Sequence, residues 1–243
     1  MKKVLVYLLL LVIPFSVSAK EFTQLDVTVD INSKDWYVFT RDNVKDNKQL
    51  KELNISEEYM NSTFTESDMY IDAVLFRSTS DYLEFFAFAK DVDLDKNLHE
   101  VSDKDMESLR DALVKQENAT VGTIETINGY KFVYTEYTDS GLNVIDYYTV
   151  INGKGYTLKF QATQAVTEND KKEIDNIIKT VKFNNVEVAT ENTSSEETTK
   201  ETETTKNEED STINYAIIGA IIGAAICAGI AIVATMNKKK SNN

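Results

Sequence analysis

The chain is poor in cysteine and histidine, and both scarcities narrow its chemistry. Its one cysteine, Cys227, lies in the C-terminal apolar run, so an exported domain here would have no disulfide. Secreted eukaryotic domains often use disulfides, and their absence beside abundant Lys, Asn, Ile and Glu favours a low-GC Gram-positive bacterium. His99 is the one histidine, which leaves little for a histidine metal site or a histidine-assisted nucleophile. We expect it to be structural or solvated.

Positive charge and glycine-rich loops are also scarce. The chain carries a formal net charge of -14, which argues against a groove for nucleic acid and against adhesion to anionic lipid headgroups. Its 8 glycines fall mainly in turns and in the C-terminal apolar run, with no phosphate-binding loop. No cofactor is predicted.

The N-terminus has the three parts of a secretory signal. Lys2 and Lys3 precede an apolar run from Val4 to Phe15, and Val17 and Ala19 place small residues before a cleavage point. We therefore predict that residues 1–19 are a signal peptide cleaved after Ala19. An uncleaved anchor is the alternative, although the apolar run is short for a bilayer span.

A second apolar run, Ile213–Met236, predicts a transmembrane helix. At 1.5 Å per residue it would be about 36 Å long, enough to cross the ~30 Å hydrocarbon layer. Lys238, Lys239 and Lys240 follow it, so residues 237–243 should be a basic cytoplasmic tail. The prediction is a single-pass type I protein of the cell membrane with its N-terminal domain outside.

Two further features concern this anchor. Gly219 and Gly223 form a small-xxx-small face that can bring two helices together, although membrane helices are in general rich in Gly and Ala. A homodimer through this helix is therefore one hypothesis. Residues 188–212 are almost entirely Thr, Glu, Ser, Asn and Lys, which is typical of a disordered stalk.

Residues 20–187 remain as one extracytoplasmic domain in which period-2 and period-3.6 patterns alternate. The predicted strands are rich in Val, Ile, Thr, Tyr and Phe, and they are Phe22–Val29, Trp36–Thr40, Met69–Arg77, Tyr82–Lys90, Thr120–Ile127, Tyr130–Thr138, Asn143–Ile151 and Tyr156–Thr163. The predicted helices are one or two within Val44–Phe64, then Asp103–Gln116 and Glu168–Val181.

Local signals predict where several of these elements begin and end. Asn128-Gly129 and Asn152-Gly153 should form hairpin turns, because Asn and Gly tolerate positive φ, so the last four strands are predicted to form an antiparallel meander. Ser102 and Thr167 offer hydroxyl caps for the last two helices.

The middle strands decide the fold class. In Asn143–Ile151 one face would carry Val144 and Tyr148 and the other Ile145 and Tyr147, so neither face is polar. A sheet that is apolar on both sides has to be covered on both sides. We therefore predict an α+β domain, an α/β/α sandwich around a mainly antiparallel sheet.

The order of elements and three segments resemble the Mog1/PsbP-like superfamily. The segments are Lys34–Val38, Tyr148–Lys154 and Ile174–Phe183, and the resemblance spans Phe22–Phe183. That group includes photosystem assembly subunits, a Ran-binding protein and bacterial surface lipoproteins, so the resemblance implies a binding or scaffolding module. Its lipid-anchored members use a cysteine after the signal peptide, a role that the transmembrane helix would take here.

The sequence offers two candidate sites. Asp91, Asp93 and Asp95 alternate with other residues up to Asn97 and could meet Ca²⁺, although Lys96 stands where an EF-hand needs glycine. A solvated acidic loop is the simpler interpretation. The second candidate is an aromatic binding face made by Tyr134, Tyr137 and Tyr147. The alternative, favoured by strand periodicity, is that these tyrosines are core or sheet-face residues.

These observations favour a membrane-anchored cell-surface binding or assembly module without catalytic activity. Its partner would be an unidentified envelope or extracellular protein or polymer. A structural adaptor that dimerises through the transmembrane helix and an envelope hydrolase that uses carboxylates are the alternatives. An exposed apolar or aromatic patch would favour binding, whereas a cleft with convergent acids of raised pKa would favour an enzyme.

Overall fold

The computed structural model describes residues 20–22, 24–32, 34–78, 80–94 and 96–186. Its strands are β1 (Lys20–Phe22), β2 (Val27–Val29), β3 (Tyr37–Thr40), β4 (Met69–Phe76), β5 (Tyr82–Asp91), β6 (Val121–Ile127), β7 (Tyr130–Asp139), β8 (Leu142–Ile151), β9 (Lys154–Ala162) and β10 (Lys182–Phe183). Its α-helices are α1 (Lys48–Leu53), α2 (Glu57–Glu66), α3 (Asp103–Glu117) and α4 (Glu168–Ile178), and a short 3-10 helix covers Leu98–Glu100.

The main sheet has seven strands in the order β3-β4-β5-β9-β8-β7-β6, and every neighbouring pair is antiparallel. The predicted meander from β6 to β9 is confirmed. Strand β9, the last of the meander, lies in the middle of the sheet and pairs with β5. This pairing joins the two halves of the chain, the strands β3–β5 and the meander β6–β9. Strand β6 is left at one edge of the sheet.

The hairpin turns follow from local residue chemistry. Asn128 and Gly129, between β6 and β7, have φ values of 54° and 83°, and Asn152 and Gly153, between β8 and β9, have 50° and 72°. Both residues of each turn are therefore in the left-handed region that asparagine and glycine tolerate. These two turns were predicted from sequence and are confirmed.

The two longest helices begin where their capping residues predict. The Ser102 side chain accepts a hydrogen bond from the Asp105 backbone N–H, and the Thr167 side chain does the same for Asp170. Asp170 Oδ2 in turn accepts from the Thr167 backbone N–H at 2.7 Å, which completes a capping box. Helix α4 ends earlier than predicted, at Ile178.

The sheet is covered on both faces, as the apolar strands predict. One side, the α4 face, packs Phe85 and Phe160 against Ile174 and Ile177 of α4 in the largest core cluster. The other side, the α3 face, is covered by two helical clusters. Phe86 packs with residues of α1 and α2 in the first, and α3 covers β7 and β8 in the second. The observed fold is thus mixed α+β around a large antiparallel sheet.

A small second sheet, β1-β2-β10, differs from the prediction. Phe22–Val29 was predicted as one strand, but a turn separates β1 from β2 and Asp26 has a φ of 53°. Strand β10, which was not predicted, follows the last helix and pairs with β2. Val27 and Phe183 from this sheet are buried in the α4-face core, so the small sheet completes the cover that α4 begins.

Close packing of α3 on β6 depends on Gly122. A Cβ atom at this position would lie 2.1 Å from Val114 Cγ2, far inside van der Waals contact. Val114 is β-branched and stiff at χ1, so it has few ways to move aside. Glycine therefore sets the distance between this helix and the edge strand.

Replacing Gly122 with alanine should destabilise the domain by about 1–3 kcal/mol, the usual cost of overpacking. The measurement is chemical denaturation of the full chain followed by the fluorescence of Trp36, which is the single tryptophan and is buried. The double variant G122A/V114A removes the clashing methyl groups and should recover most of the loss. Equal destabilisation of the single and double variants would show that Val114 is not the cause.

Candidate functional site

A row of buried polar side chains crosses the α3 face of the sheet. Its members, here called the polar strip, are each at most 5% exposed, and they are Asp72, Glu84, Gln161, Lys159, Asp146 and Tyr137. The strip runs from β4 through β5, β9 and β8 to β7. Strand neighbours of the strip such as Ala73 and Phe160 belong to the α4-face core, so alternation places the strip on the opposite side.

The first half of the polar strip is an acidic pair with one amide. Gln161 lies directly opposite Glu84 in the sheet, and its Nε2 donates to Glu84 Oε2 at 2.6 Å. Asp72 lies on the neighbouring strand, opposite Phe86, and is diagonal to Glu84. Burial raises the pKa of Asp72 to about 7, and burial followed by the charge of Asp72 raises the pKa of Glu84.

The second half is a lysine, a carboxylate and a phenol. Lys159 lies opposite Asp146, with Nζ 3.5 Å from Asp146 Oδ2. Tyr137 Oη donates to Asp146 Oδ2 at 2.7 Å and accepts from Lys159 Nζ at 3.0 Å. Burial raises the pKa of Asp146 because desolvation outweighs the attraction of Lys159. The pKa of Tyr137 is also raised, by burial and then by the charge of Asp146.

Two half-buried side chains from the covering helices lie near the polar strip. Tyr59 of α2 has a raised pKa, mainly through burial and further through Asp72 and Glu84. Glu117 of α3 has a raised pKa, mainly through burial and then through Asp146. The strip can therefore hold protons in several places, but Asp72 and Glu84 themselves are 0% exposed. As folded, the acidic pair does not line an open cleft.

The structure separates the three tyrosines of the predicted aromatic face. Tyr134 and Tyr147 pack together on the α4 face, with ring centroids 5.0 Å apart, and Tyr134 Oη donates to Glu136 Oε1. Tyr137 is on the α3 face in the polar strip. Tyr137 and Tyr147 are 5% and 4% exposed. The three side chains do not share a surface, because residues an odd number apart on one strand point to opposite faces.

One side-chain oxygen in the candidate calcium segment, from Asp91 to Asn97, accepts a hydrogen bond within the fold. Asn97 Oδ1 accepts from the Asn152 backbone N–H at 2.6 Å, which ties the loop to the β8–β9 turn. Asp91 and Asp93 are exposed, and Asp95 lies outside the described residues. Among the residues that the structure describes, no group of three or more metal-ligating side chains occurs. The calcium hypothesis stays a prediction.

Strand β6 is the most accessible strand of the main sheet. It pairs only with β7 within the described part of the chain, so its outer edge is open. Val121, Thr123 and Thr126 are exposed along it. Val121 is 38% exposed, the one large hydrophobic side chain among the described residues to be so exposed.

Several predicted features lie outside the described residues. They are the signal peptide (1–19), the stalk (188–212), the transmembrane helix with Gly219 and Gly223, and the basic tail with Lys238, Lys239 and Lys240. No helix within the described ranges is long and apolar enough to cross a membrane. His99, predicted to be structural or solvated, is half-buried with its ring edge-on to Tyr130.

The sequence interpretation missed the polar strip, although a signal was present. Glu84 interrupts the apolar run of β5, and Asp72, Asp146 and Lys159 stand likewise among apolar neighbours. A single charge inside an otherwise apolar strand indicates a buried ionisable group. The pairing between these groups depends on strand register across distant segments, which the pattern does not give.

No protein-family model matches the chain, and a search of curated protein sequences found no match. Among solved structures, the chain is similar to the cyanobacterial PsbP protein (CyanoP) of Synechocystis sp. PCC 6803, with 9% identity and a TM-score of 0.40. That match covers 68% of this chain and 91% of CyanoP.

A second similar structure is a protein from Bacteroides thetaiotaomicron VPI-5482. It has 12% identity and a TM-score of 0.35, over 65% of this chain. The chain spans 44% of the length of that protein.

Proposed function

We propose that this chain is a membrane-anchored cell-surface binding or assembly module with no catalytic activity. The open edge of β6 is the observation that carries the proposal. An unpaired strand edge presents backbone N–H and C=O groups to which another strand can add. Val121 and the threonines give this edge apolar and hydroxyl contacts and little charge, in contrast to the acidic chain as a whole. The partner would be an envelope or extracellular protein that offers an extended segment, or a wall polymer.

The rest of the proposal comes from sequence. The signal peptide, the stalk and the single-pass anchor would hold the domain outside the cell membrane, and a low-GC Gram-positive source stays a prediction. Membership of the Mog1/PsbP-like group is also proposed here on the three segments that resemble it. The predicted surface location matters most among these, because only a domain outside the membrane can contact an envelope partner.

An affinity pull-down from the envelope of the producing cell tests the binding proposal. The bait is the full chain in detergent, and the control bait lacks residues 20–186. The variant V121K/T126K puts lysine, a natural block to strand addition, on the β6 edge. We expect a specific partner that wild type retains and that both the control bait and the edge variant lose.

A matched variant separates the edge from general charge effects. T65K/S108K adds the same two charges at exposed positions on α2 and α3 and should retain the partner. Retention by both lysine variants would place binding elsewhere on the domain. An empty pull-down from a folded wild-type bait would count against the binding module.

Two alternatives keep their own tests. The structural adaptor predicts that G219L/G223L abolishes self-association of the full chain in detergent, because bulky side chains would separate the helices.

The hydrolase is favoured by one observation, the raised pKa values of the acids in the polar strip. Against it, Asp72 and Glu84 are fully buried. If the domain is a hydrolase, the wild type should turn over wall polymers and D72N and E84Q should lose this activity. If it is a binding module, none of these proteins should show turnover.

A further inference from the structure

Asp72 and Glu84 have four carboxyl oxygens between them, but only one of these oxygens accepts a hydrogen bond from the described residues. Glu84 Oε2 accepts from Gln161 Nε2 at 2.6 Å. Glu84 Oε1 and both carboxyl oxygens of Asp72 accept no hydrogen bond from the described residues. Both residues are 0% exposed, so water does not reach them from outside. The two carboxyl groups are close enough to interact, since the charge of Asp72 raises the pKa of Glu84.

The groups that face the pair do not supply a positive charge. Tyr59 from α2, Tyr82 from β5 and Gln161 from β9 are neutral at physiological pH, and the two tyrosines have raised pKa values. Phe39 of β3 and Phe86 of β5 supply apolar surroundings.

Two basic side chains on or next to these strands have other partners. Lys159 directs its Nζ to Tyr137 and Asp146, the carboxylate of the neighbouring strand β8. Arg77, at the end of β4, pairs with Asp81 and Asp170. On α3, the half-buried carboxyl of Glu117 lies near Asp146 and Lys159 and adds no positive charge. Neither carboxylate of the pair is thus neutralised by an ion pair among the described residues.

Two adjacent carboxylates without a cation cannot both stay ionised in such a place. Isolated buried charges are so costly that the group takes up a proton instead, and two carboxylates that share a site raise each other's proton affinity. We propose that Asp72 and Glu84 form a buried proton-binding site that keeps at least one proton at neutral pH. One carboxyl then donates to the other, which satisfies oxygens that otherwise have no partner.

This site makes the stability of the domain depend on pH in a stated direction. The folded state keeps a proton that the unfolded chain releases near pH 4, so the folded state is favoured at low pH. As pH rises above about 4 towards the raised pKa values, the folded state progressively loses this advantage. Deprotonation places two like charges beneath α1 and α2, so these short helices should be the first elements to loosen. The contribution of this site to the free energy of unfolding is therefore largest under acidic conditions.

The test uses thermal unfolding of the full chain in detergent, followed by Trp36 fluorescence from about pH 5 to about pH 8. D72N, E84Q and the double variant D72N/E84Q remove the proton site with little change of shape. We expect the wild-type melting temperature to fall by roughly 5–10 °C more than that of the double variant across this range. The double variant should be the more stable protein at about pH 8. The control E52Q/E107Q removes two exposed carboxylates and should keep the wild-type slope.

Infrared spectroscopy of the wild-type chain gives a second measurement that needs no variant to fold. A protonated carboxyl band should persist above the pH at which ordinary carboxyls ionise, and it should disappear as pH rises past neutrality. Absence of this band at about pH 6 would overturn the proposal. So would an equal pH slope in wild type and D72N/E84Q.

Discussion

Replacing Lys159 with methionine is expected to destabilise the domain by about 3–5 kcal/mol, because it leaves Asp146 as a buried charge without its partner. The lysine is 2% exposed and the carboxylate 3%. Its Nζ contacts both Asp146 Oδ2 and Tyr137 Oη. Methionine keeps most of the side-chain volume, so the loss should reflect charge and hydrogen bonding more than packing. Guanidinium denaturation followed by Trp36 fluorescence measures it.

Two further variants identify the cause of that loss. K159M/D146L removes both charges and should be clearly more stable than K159M, because a buried pair can often be replaced by apolar residues at little cost. K171M removes an exposed lysine of α4 and should change stability by no more than about 0.5 kcal/mol. If K159M behaves like K171M, the triad of Lys159, Asp146 and Tyr137 does not stabilise the packing of β7, β8 and β9.

Replacing Phe160 with alanine should cost about 3–5 kcal/mol, the range for a large aromatic side chain removed from a packed core. Phe160 is 1% exposed in the α4-face core, and its ring centroid lies 4.7 Å from that of Phe85. It stands on β9, the strand that joins the meander to β5. A cavity here would therefore weaken the contact between the two halves of the chain.

A graded pair of variants tests whether the cavity is the cause. Phe160→Leu fills part of the space and should lose clearly less stability than Phe160→Ala. Val121→Ala on the exposed edge of β6 should stay within about 0.5 kcal/mol of wild type. Similar losses from F160L and F160A would indicate that the site collapses or that strain, not cavity volume, sets the cost.

The large elements of the fold follow from local residue patterns. Asn128-Gly129 and Asn152-Gly153 determine where strands reverse, and Ser102 and Thr167 determine where α3 and α4 begin. These signals act over a few residues, so each can be recognised without the rest of the chain. The apolar faces of β8 likewise predict that helices lie on both sides of the sheet, and the structure confirms that cover.

The small sheet and the polar strip depend on contacts between distant segments. Strand β10 has two residues and exists because Phe183 packs into the core beside Val27. Asp72, Glu84 and Gln161 become neighbours only through the register of β4, β5 and β9. No local pattern encodes that register, since β5 and β9 are separated in sequence by α3 and most of the meander.

The polar strip also changes how the acidity of the chain is understood. Most acids among the residues that the structure describes are exposed or half-buried, where they favour solubility, but Asp72, Glu84 and Asp146 are within the sheet. Their burial costs stability and makes the core sensitive to pH and to single substitutions. The open β6 edge lies at the far end of the same sheet from β3, so a partner could add there without disturbing the acidic pair.

Protease treatment of intact cells tests most directly whether the domain is displayed outside the membrane. The chain would carry an epitope tag after Asn243, and blots would follow both the domain and the tag. We expect added protease to remove the domain from intact cells and to leave a short tagged fragment, protected by the membrane. A domain that stays whole until the cells are permeabilised would contradict the surface location, and with it the proposal of an envelope-binding module.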